Sequence, residues 1–274
     1  MNPNQTPIQA FVNGAASASI SLLDRGLSYG DGVFRTMPVH KCLPASWQLH
    51  YQKLNHDCNA LKIKCPDEQT LLQDIQALFG GADGVAKIII TRGEAARGYP
   101  YPADLAPNRI VIKTDLPAYP KSRFEQGVNL HLCTLRLAHQ PLLAGIKHLN
   151  RLENVLARSE WSDPSIADGV LLDGNDSVIE CTMSNIFARY GNQVLTPRLN
   201  LCGVSGVTRE RIISQLPLLN LSVSEETLPL SQLMQADEIL ICNSLFGVWQ
   251  VTQFNGKAWA KQPLADNLNL LLLK

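Results

Sequence analysis

The chain has 274 residues, enough for one large domain or two modest ones, and 24 Lys plus Arg balance 24 Asp plus Glu. That balance leaves no net field to hold a polyanion, so neither nucleic acid nor a membrane surface is an expected partner. The 7 cysteines form no C-x-x-C pair and several fall inside apolar runs, so they read as reduced core thiols of a cytoplasmic protein rather than a disulfide frame or a zinc site. Residues 1–7 show no basic start followed by an apolar run, and no apolar stretch approaches the ~20 residues needed to cross a bilayer.

In chain order, Ile8 to Val12 and the Asn13-Gly14 turn predict an opening β-hairpin, because Asn-Gly tolerates the positive φ of a tight turn. A glycine-rich corner, Asp24 to Gly32, leads into a strand over 33–40. Trp47, Tyr51, Leu54, Cys58 and Leu61 recur at helical spacing, as do Leu71, Leu72, Ile75, Leu78 and Phe79 ahead of Gly80-Gly81. Residues 85–91 and 109–113 are rich in β-branched side chains, which makes 1–115 a small N-terminal α/β domain. A Pro- and Lys-containing linker over 116–122 precedes a larger C-terminal domain over 123–274. Strands are expected there at 128–137, 169–173, 177–189, 193–196, 220–224 and 237–242. Asn150 to Glu153 resembles a capping box opening a helix through Trp161, a second helix follows Gly206, and a Leu-rich helix closes the chain from Ala265. The fold class is α+β, with a strand-rich partial barrel in the second half.

Two segments can carry chemistry. Lys147 stands before a predicted helix, whose N-terminal partial charge would disfavour an ammonium and so favour imine formation; the alternative is a solvated surface amine. Further on, alternation along one strand would put Glu180, Thr182 and Ser184 on one face. Gly206-Val207-Thr208 then enters a helix glycine-first, leaving backbone N–H groups and a hydroxyl for an anion such as phosphate, or simply forming a turn and a cap. No Cys or carboxylate cluster has metal spacing, so no metal is expected.

The run from Glu180 to Arg209 resembles the signature of the class IV, branched-chain-aminotransferase-like, pyridoxal-phosphate enzymes, and Asp24-Arg25-Gly26 with Tyr29 to Phe34 is similar to that family's N-terminal motif. Within the family, Leu143 to Glu153, Thr91 to Tyr99 and Ala236 to Asn243 resemble the aminodeoxychorismate lyase branch more than the aminotransferases, which tend to have Tyr-Glu in place of Phe34-Arg35. The resemblance implies the fold-type IV architecture, pyridoxal 5'-phosphate as cofactor, a small-molecule substrate, a homodimer, and a lyase that forms 4-aminobenzoate for folate synthesis. A branched-chain or D-amino-acid transaminase of the same fold and a silent ligand-binding relative are the alternatives.

The same resemblance assigns expected roles. Lys147 is the lysine that carries the cofactor, and Glu180 faces its pyridine nitrogen. Val207 and Thr208 hold its phosphate, with Asn243 or Ser244 closing the cup and Ser184 and Asn185 among the cofactor contacts. The family's phosphate-binding arginine falls in a His-x-x-Arg-Leu motif, here His50-Tyr51-Gln52-Lys53-Leu54, so Lys53 either takes that place without the bidentate fork or is a solvated helix lysine. Thr36 is expected to relay a proton in catalysis or else to pack. Arg97, then Arg25 and Arg35, with Tyr99, are the expected substrate contacts, since the substrate's two carboxylates call for Arg or backbone donors; the alternative for any of the three arginines is a structural salt bridge.

Overall fold

The computed structural model describes residues 9–273, so Ile8 and the N-terminal segment lie outside the described residues. The chain divides into two compact units, one running through Pro117 and also taking in Lys147–Asn150, the other comprising Ala118–Ile146 and Arg151 onward. Among the described residues, no helix is long and apolar enough to cross a membrane.

The first unit holds β1 (Gln9–Val12), β2 (Ala15–Ala16), α1 (Arg25–Tyr29), β3 (Gly32–His40), β4 (Leu43–Pro44), α2 (Trp47–Ala60), α3 (Glu68–Phe79), β5 (Gly84–Thr91) and β6 (Asn108–Thr114). Its described strands form one six-stranded sheet in the order β2-β1-β6-β5-β3-β4, antiparallel throughout. Strand alternation splits the central strands cleanly: Arg35, Met37, Ile88, Ile90 and Val111 point to a buried face, while Phe34, Thr36, Lys87, Ile89, Ile110 and Ile112 alternate with them and stay half-buried.

The glycine-rich corner is tied by charge. Asp24 caps α1 by accepting from Gly26 N at 2.7 Å and Leu27 N at 3.3 Å, while its other oxygen takes Thr91 Oγ1 at 2.6 Å and Asn108 Nδ2 at 2.7 Å. Gly32 must be glycine because an added Cβ would meet Ile90 O at 2.5 Å and Leu149 Cδ1 at 2.8 Å. That close approach lets the backbone of 147–149 add to β3, with Phe34 N donating to Lys147 O and Leu149 N to Gly32 O, both at 2.9 Å. Two hydrogen bonds to a strand of the first unit explain why this short segment belongs there.

The second unit holds α4 (Ser122–Glu125), β7 (Val128–Leu137), α5 (Leu152–Arg158), β8 (Ile166–Asp173), β9 (Ser177–Cys181), β10 (Asn185–Tyr190), β11 (Gln193–Pro197), α6 (Val207–Gln215), β12 (Ser222–Glu226), β13 (Leu228–Pro229), α7 (Leu230–Leu233), β14 (Glu238–Asn243), β15 (Gly247–Phe254), β16 (Lys257–Ala258) and α8 (Leu264–Leu272). Its described strands make a ten-stranded, barrel-like sheet in the order β12-β11-β10-β14-β15-β7-β8-β9-β13, with β16 on β15. The core packs Val170, Val178, Ile186, Leu195, Ile239, Trp249 and Val251 from inward positions of those strands. Burial pushes the Cys133, Cys202 and Cys242 thiols up to about 12, as suits small core hydrophobes.

Three expectations are corrected. The strand expected over 177–189 breaks at 182–184, because the buried Asp168 carboxylate captures Thr182 Oγ1 at 2.5 Å and Ser184 Oγ at 2.7 Å. The expected capping box does not form: Glu153 Oε1 accepts from Ala138 N at 2.8 Å, Asn150 Nδ2 donates to Gly30 O at 3.2 Å, and the helix begins after Arg151 and ends at Arg158. Strand β15 was not expected, although Val248, Trp249 and Val251 within it are fully buried; continuous burial on both faces hides the period-2 pattern.

Candidate active site

Lys147 lies on the first unit's sheet. Its amide donates to Asp57 Oδ2 at 3.1 Å, and its Nζ stands 4.6 Å from the centroid of the Phe34 ring. Asp57 is wholly buried on α2 and accepts from Arg35 Nη2 and, through Oδ1, pairs with His56 Nδ1 at 3.2 Å. One carboxylate thus fixes both the backbone of the lysine and the guanidinium beneath the strand that carries Phe34 and Thr36. Charge pairing of this kind is required where an arginine is 2% exposed.

The position of Lys147 owes nothing to the helix N-terminus expected behind it. Helix α5 begins at Leu152 and spans 7 residues, and the lysine is set instead by strand pairing, His148 bridging Val33. Thr36, two residues beyond Phe34 on the same face, is the cross-strand partner of Lys87. Lys53 is half-buried on α2 one turn before Asp57, and its carbonyl accepts from Arg35 Nη2 at 3.5 Å.

The expected substrate contacts separate. Arg25 is 4% exposed, and its guanidinium donates to Asp31 Oδ2 at 2.9 Å, Gly98 O at 2.8 Å and Tyr99 O at 3.0 Å. Arg35 is held by Asp57. Both guanidiniums brace the fold, the first by fastening the 98–99 loop to the glycine-rich corner. Arg97 is exposed in that loop, and Tyr99 is 81% exposed with its ring 5.6 Å from that of Tyr29.

The second unit carries the carboxylate and the hydroxyls. Glu180, near the end of β9 and 4% exposed, accepts the Val204 N–H at 2.8 Å. Asn185 Nδ2 donates to Val204 O at 2.8 Å, and a Cβ at Gly206 would come within 2.3 Å of Asn185 Oδ1, so the turn over 203–206 is locked onto the two strands. Gly206 precedes α6 and has no side chain to cap it, leaving the Val207 and Thr208 end of the helix open to an anion. Thr208 Oγ1 lies 3.4 Å from Ser244 Oγ, while Glu210, the acidic residue of the first turn, meets Ser205 Oγ at 3.3 Å. Asn243 turns elsewhere: its Oδ1 accepts from Leu245 N at 2.9 Å and Phe246 N at 3.0 Å. Ser184 points to Asp168, away from the role expected beside Glu180. Burial raises the Asp168 carboxyl above the usual range, although the Thr182 and Ser184 hydroxyls partly offset it.

The first unit supplies a strand-held lysine, and the second, by itself, a buried carboxylate and two converging hydroxyls at an uncapped helix start; residues 32–254 match the family described as Amino-transferase class IV. The chain belongs to that family. Among class IV relatives, the aminodeoxychorismate lyase of Vibrio harveyi is 38% identical over 243 residues, covering 88% of this chain and 90% of that protein. The solved 4-amino-4-deoxychorismate lyase of Pseudomonas aeruginosa superposes with a TM-score of 0.92 at 41% identity, covering 96% of this chain and 97% of that one. A D-alanine aminotransferase of Bacillus licheniformis is 24% identical over 94% of this chain and 92% of its own length.

For a class IV chain, sequence reasoning overlooked Asp57 and Asp168, both fully buried carboxylates. A signal existed for Asp57, since it falls on the apolar stripe of α2 with Leu54 and Cys58, where an acid needs a partner. Nothing local marks Asp168. Among the described residues, no group of three His, Cys, Asp or Glu side chains could hold a metal ion.

Proposed function

We propose that this protein is a pyridoxal-phosphate-dependent 4-amino-4-deoxychorismate lyase, releasing 4-aminobenzoate and pyruvate. The observation that carries the reading is 41% identity with a TM-score of 0.92 to a solved lyase across 96% of the chain. Aminotransferase relatives that cover 88–94% of this chain stand at 24–27%.

The side chains fit the cofactor chemically. A buried carboxylate already oriented by a backbone N–H, as Glu180 is, suits a protonated ring nitrogen, and the α6 start with Thr208 and Ser244 offers neutral donors to a phosphate. We assign Lys147 as the cofactor-bearing lysine, Glu180 as the partner of the ring nitrogen, and Val207, Thr208 and Ser244 as phosphate ligands, with Lys53 as a further cation. Asn185 acts by holding the turn over 203–206, Asn243 supports the backbone of Leu245 and Phe246, and Ser184 holds the Asp168 carboxylate. When bound, pyridoxal phosphate supplies an electron sink for charge developing beside the substrate's amine.

Lys147 Nζ then takes the proton from the substrate's C4. The released electron pair completes the ring as the bond from the neighbouring carbon to the enolpyruvyl oxygen breaks, and Lys147 returns a proton to the methylene carbon of the leaving group, giving pyruvate. Aromatisation drives the step, so the protein's task is to position groups and exchange protons. Thr36, on the same strand face as Phe34, relays that proton, and Arg97 and Tyr99 approach the substrate from their exposed loop. Arg25 and Arg35 act through the fold rather than on substrate.

The decisive assay incubates purified holoenzyme with 4-amino-4-deoxychorismate and follows pyruvate without any keto-acid acceptor. Steady release supports the lyase; turnover that needs 2-oxoglutarate would assign a transaminase, and a colourless protein that gains no borohydride-fixed cofactor mass would be a silent relative. We further infer a cytoplasmic homodimer. The exposed apolar side chains of Leu152, Val155 and Leu156 on α5 support it, as a surface that a second copy would cover. A monomer mass by sedimentation would remove that part of the reading.

A further inference from the structure

Within the first unit, the end of α2 doubles the chain back and brings two thiols together. After Ala60 the helix closes in a Schellman turn: Lys62 takes φ 56°, its N–H donates to Asn59 O at 2.9 Å, and Ile63 N donates to Cys58 O at 2.8 Å. Arg92 clamps that turn by donating to Leu61 O at 2.7 Å and to Lys62 O at 2.9 Å. Tyr51, on the same face of α2 as Cys58, donates its hydroxyl to Pro66 O at 3.2 Å. The segment, fastened at 61–62 and again at 66, lies back along the helix, and the Cys58 and Cys65 thiols hydrogen-bond to each other. Cys58 is wholly buried, whereas Cys65 is half-buried.

The thiolate, not the thiol, attacks an oxidant, and a donor beside it stabilises it. Cys58 S–H is that donor: its hydrogen bond holds the Cys65 thiol below the usual range, and the same bond, with burial, pushes Cys58 up. Cys65 is therefore the sulfur that a small oxidant meets first, and Cys58 the one placed to resolve it. Cys133, Cys202 and Cys242 differ, because burial pushes them up to about 12 and keeps them as thiols. The pair also adjoins the charges behind Lys147. Cys58 follows Asp57, whose Oδ2 accepts the Lys147 N–H at 3.1 Å and pairs with Arg35.

We propose that Cys58 and Cys65 are a peroxide-oxidisable pair, whose reversible disulfide moves the end of α2, takes Asp57 off the Lys147 amide and slows turnover. The Cys65 thiolate attacks one oxygen of hydrogen peroxide; the O–O bond breaks, the departing hydroxide takes a proton to leave as water, and Cys65 becomes a sulfenic acid. The Cys58 sulfur then attacks that sulfur, the S–O bond breaks, the hydroxyl leaves as a second water with the Cys58 proton, and the S–S bond forms. Two thiols lose two electrons and the peroxide gains them. Bonded sulfurs lie about 2.05 Å apart, closer than hydrogen-bonded thiols, so the backbone must give. Arg92 and Tyr51 hold the side of Cys65, and the movement falls on α2 next to Asp57. The bond is independent of which reaction the protein runs; its effect on turnover rests on the role assigned to Lys147 above.

The test treats holoenzyme, wild type and Cys65→Ser, with hydrogen peroxide and afterwards with dithiothreitol. In wild type the intact mass falls by about 2 Da, the two hydrogens lost on forming a disulfide, and dithiothreitol restores them. Peptide mass finds residue 58 joined to residue 65. Pyruvate release falls about ten- to a hundredfold, as a small misplacement of a catalytic group predicts, and returns on reduction. Cys65→Ser turns over like wild type when reduced, forms no such bond and keeps its turnover in peroxide. The proposal is overturned if Cys58 can still be alkylated after Cys65 is oxidised, or if peroxide slows Cys65→Ser as much as wild type. A 58–65 disulfide that leaves pyruvate release unchanged overturns the link to Lys147. If wild type releases no pyruvate before oxidation, the lyase reading fails on its own. The pair is then judged by the cross-linked peptide and by the absorbance of the cofactor on Lys147, and the absence of either change overturns it.

Discussion

Replacing Asp57 with alanine tests the idea that one buried carboxylate holds both the catalytic backbone and the sheet. In the folded protein Asp57 is inaccessible, Arg35 is 2% exposed, and the Lys147 amide is 3.1 Å from Asp57 Oδ2. Removing the carboxylate takes from the buried Arg35 guanidinium the charge partner it has in Asp57, and breaking a buried pair costs about 3–5 kcal/mol. That is a large share of the 5–15 kcal/mol by which domains are ordinarily stable, and for a chain of this size it corresponds to a fall of roughly 6–20 °C in melting temperature. The double variant Arg35→Met, Asp57→Leu removes both charges and refills the volume, so its stability returns to within about 1–2 kcal/mol of wild type. The Lys147 N–H still lacks its acceptor there, so turnover stays depressed while stability recovers. Urea unfolding followed by circular dichroism, read beside pyruvate release, separates the two effects. Asp57→Ala within about 1 kcal/mol of wild type, or a double variant that regains full turnover, would refute the reasoning.

Lys147→Ala should abolish pyruvate release and leave no cofactor fixed by borohydride at residue 147, as checked by peptide mass; retained turnover contradicts the assignment. Thr208→Val removes a hydroxyl that lies 3.4 Å from Ser244 Oγ and should weaken cofactor binding about tenfold, measured by titrating apoprotein and watching the cofactor's absorbance. An unchanged affinity would take Thr208 out of the phosphate site. Stability should fall in acid through Asp31: burial works against its charge, but hydrogen bonds and charge from Arg92 and Arg25 outweigh that and hold its carboxyl below the usual range. The contribution is complete above the unfolded value near 3.9 and is lost as pH falls through the lower folded value. Urea midpoints of wild type and Asp31→Asn should therefore converge as pH drops below about 4, and a constant gap would show that Asp31 is not the titrating group.

Much of the scaffold is legible without coordinates because its cues are local. Apolar spacing in Trp47, Tyr51, Leu54 and Cys58 marks α2, and β-branched runs mark β5 and β6, since period and propensity depend only on neighbours along the chain. Glu180 and the Gly206-Val207-Thr208 entry to α6 are readable for the same reason: a turn, a cap and a strand end are each set within a few residues. The breaks come where a side chain answers to something distant. Thr182 and Ser184 look like strand positions until Asp168, 14 and 16 residues earlier, takes their hydroxyls.

By itself, then, the sequence determined the locally cued elements, the family likeness and the placement of a lysine and a glutamate in motifs with a shared chemistry. Tertiary structure alone decided which charges face inward to each other. Arg25 and Arg35, both plausible ligands for a substrate carboxylate, were claimed by Asp31 and Asp57, and Asp57 also reaches the amide of Lys147, 90 residues away. The reason is physical: a buried charge must be paired, and its partner is chosen by the fold that buries it, not by its neighbours in the chain.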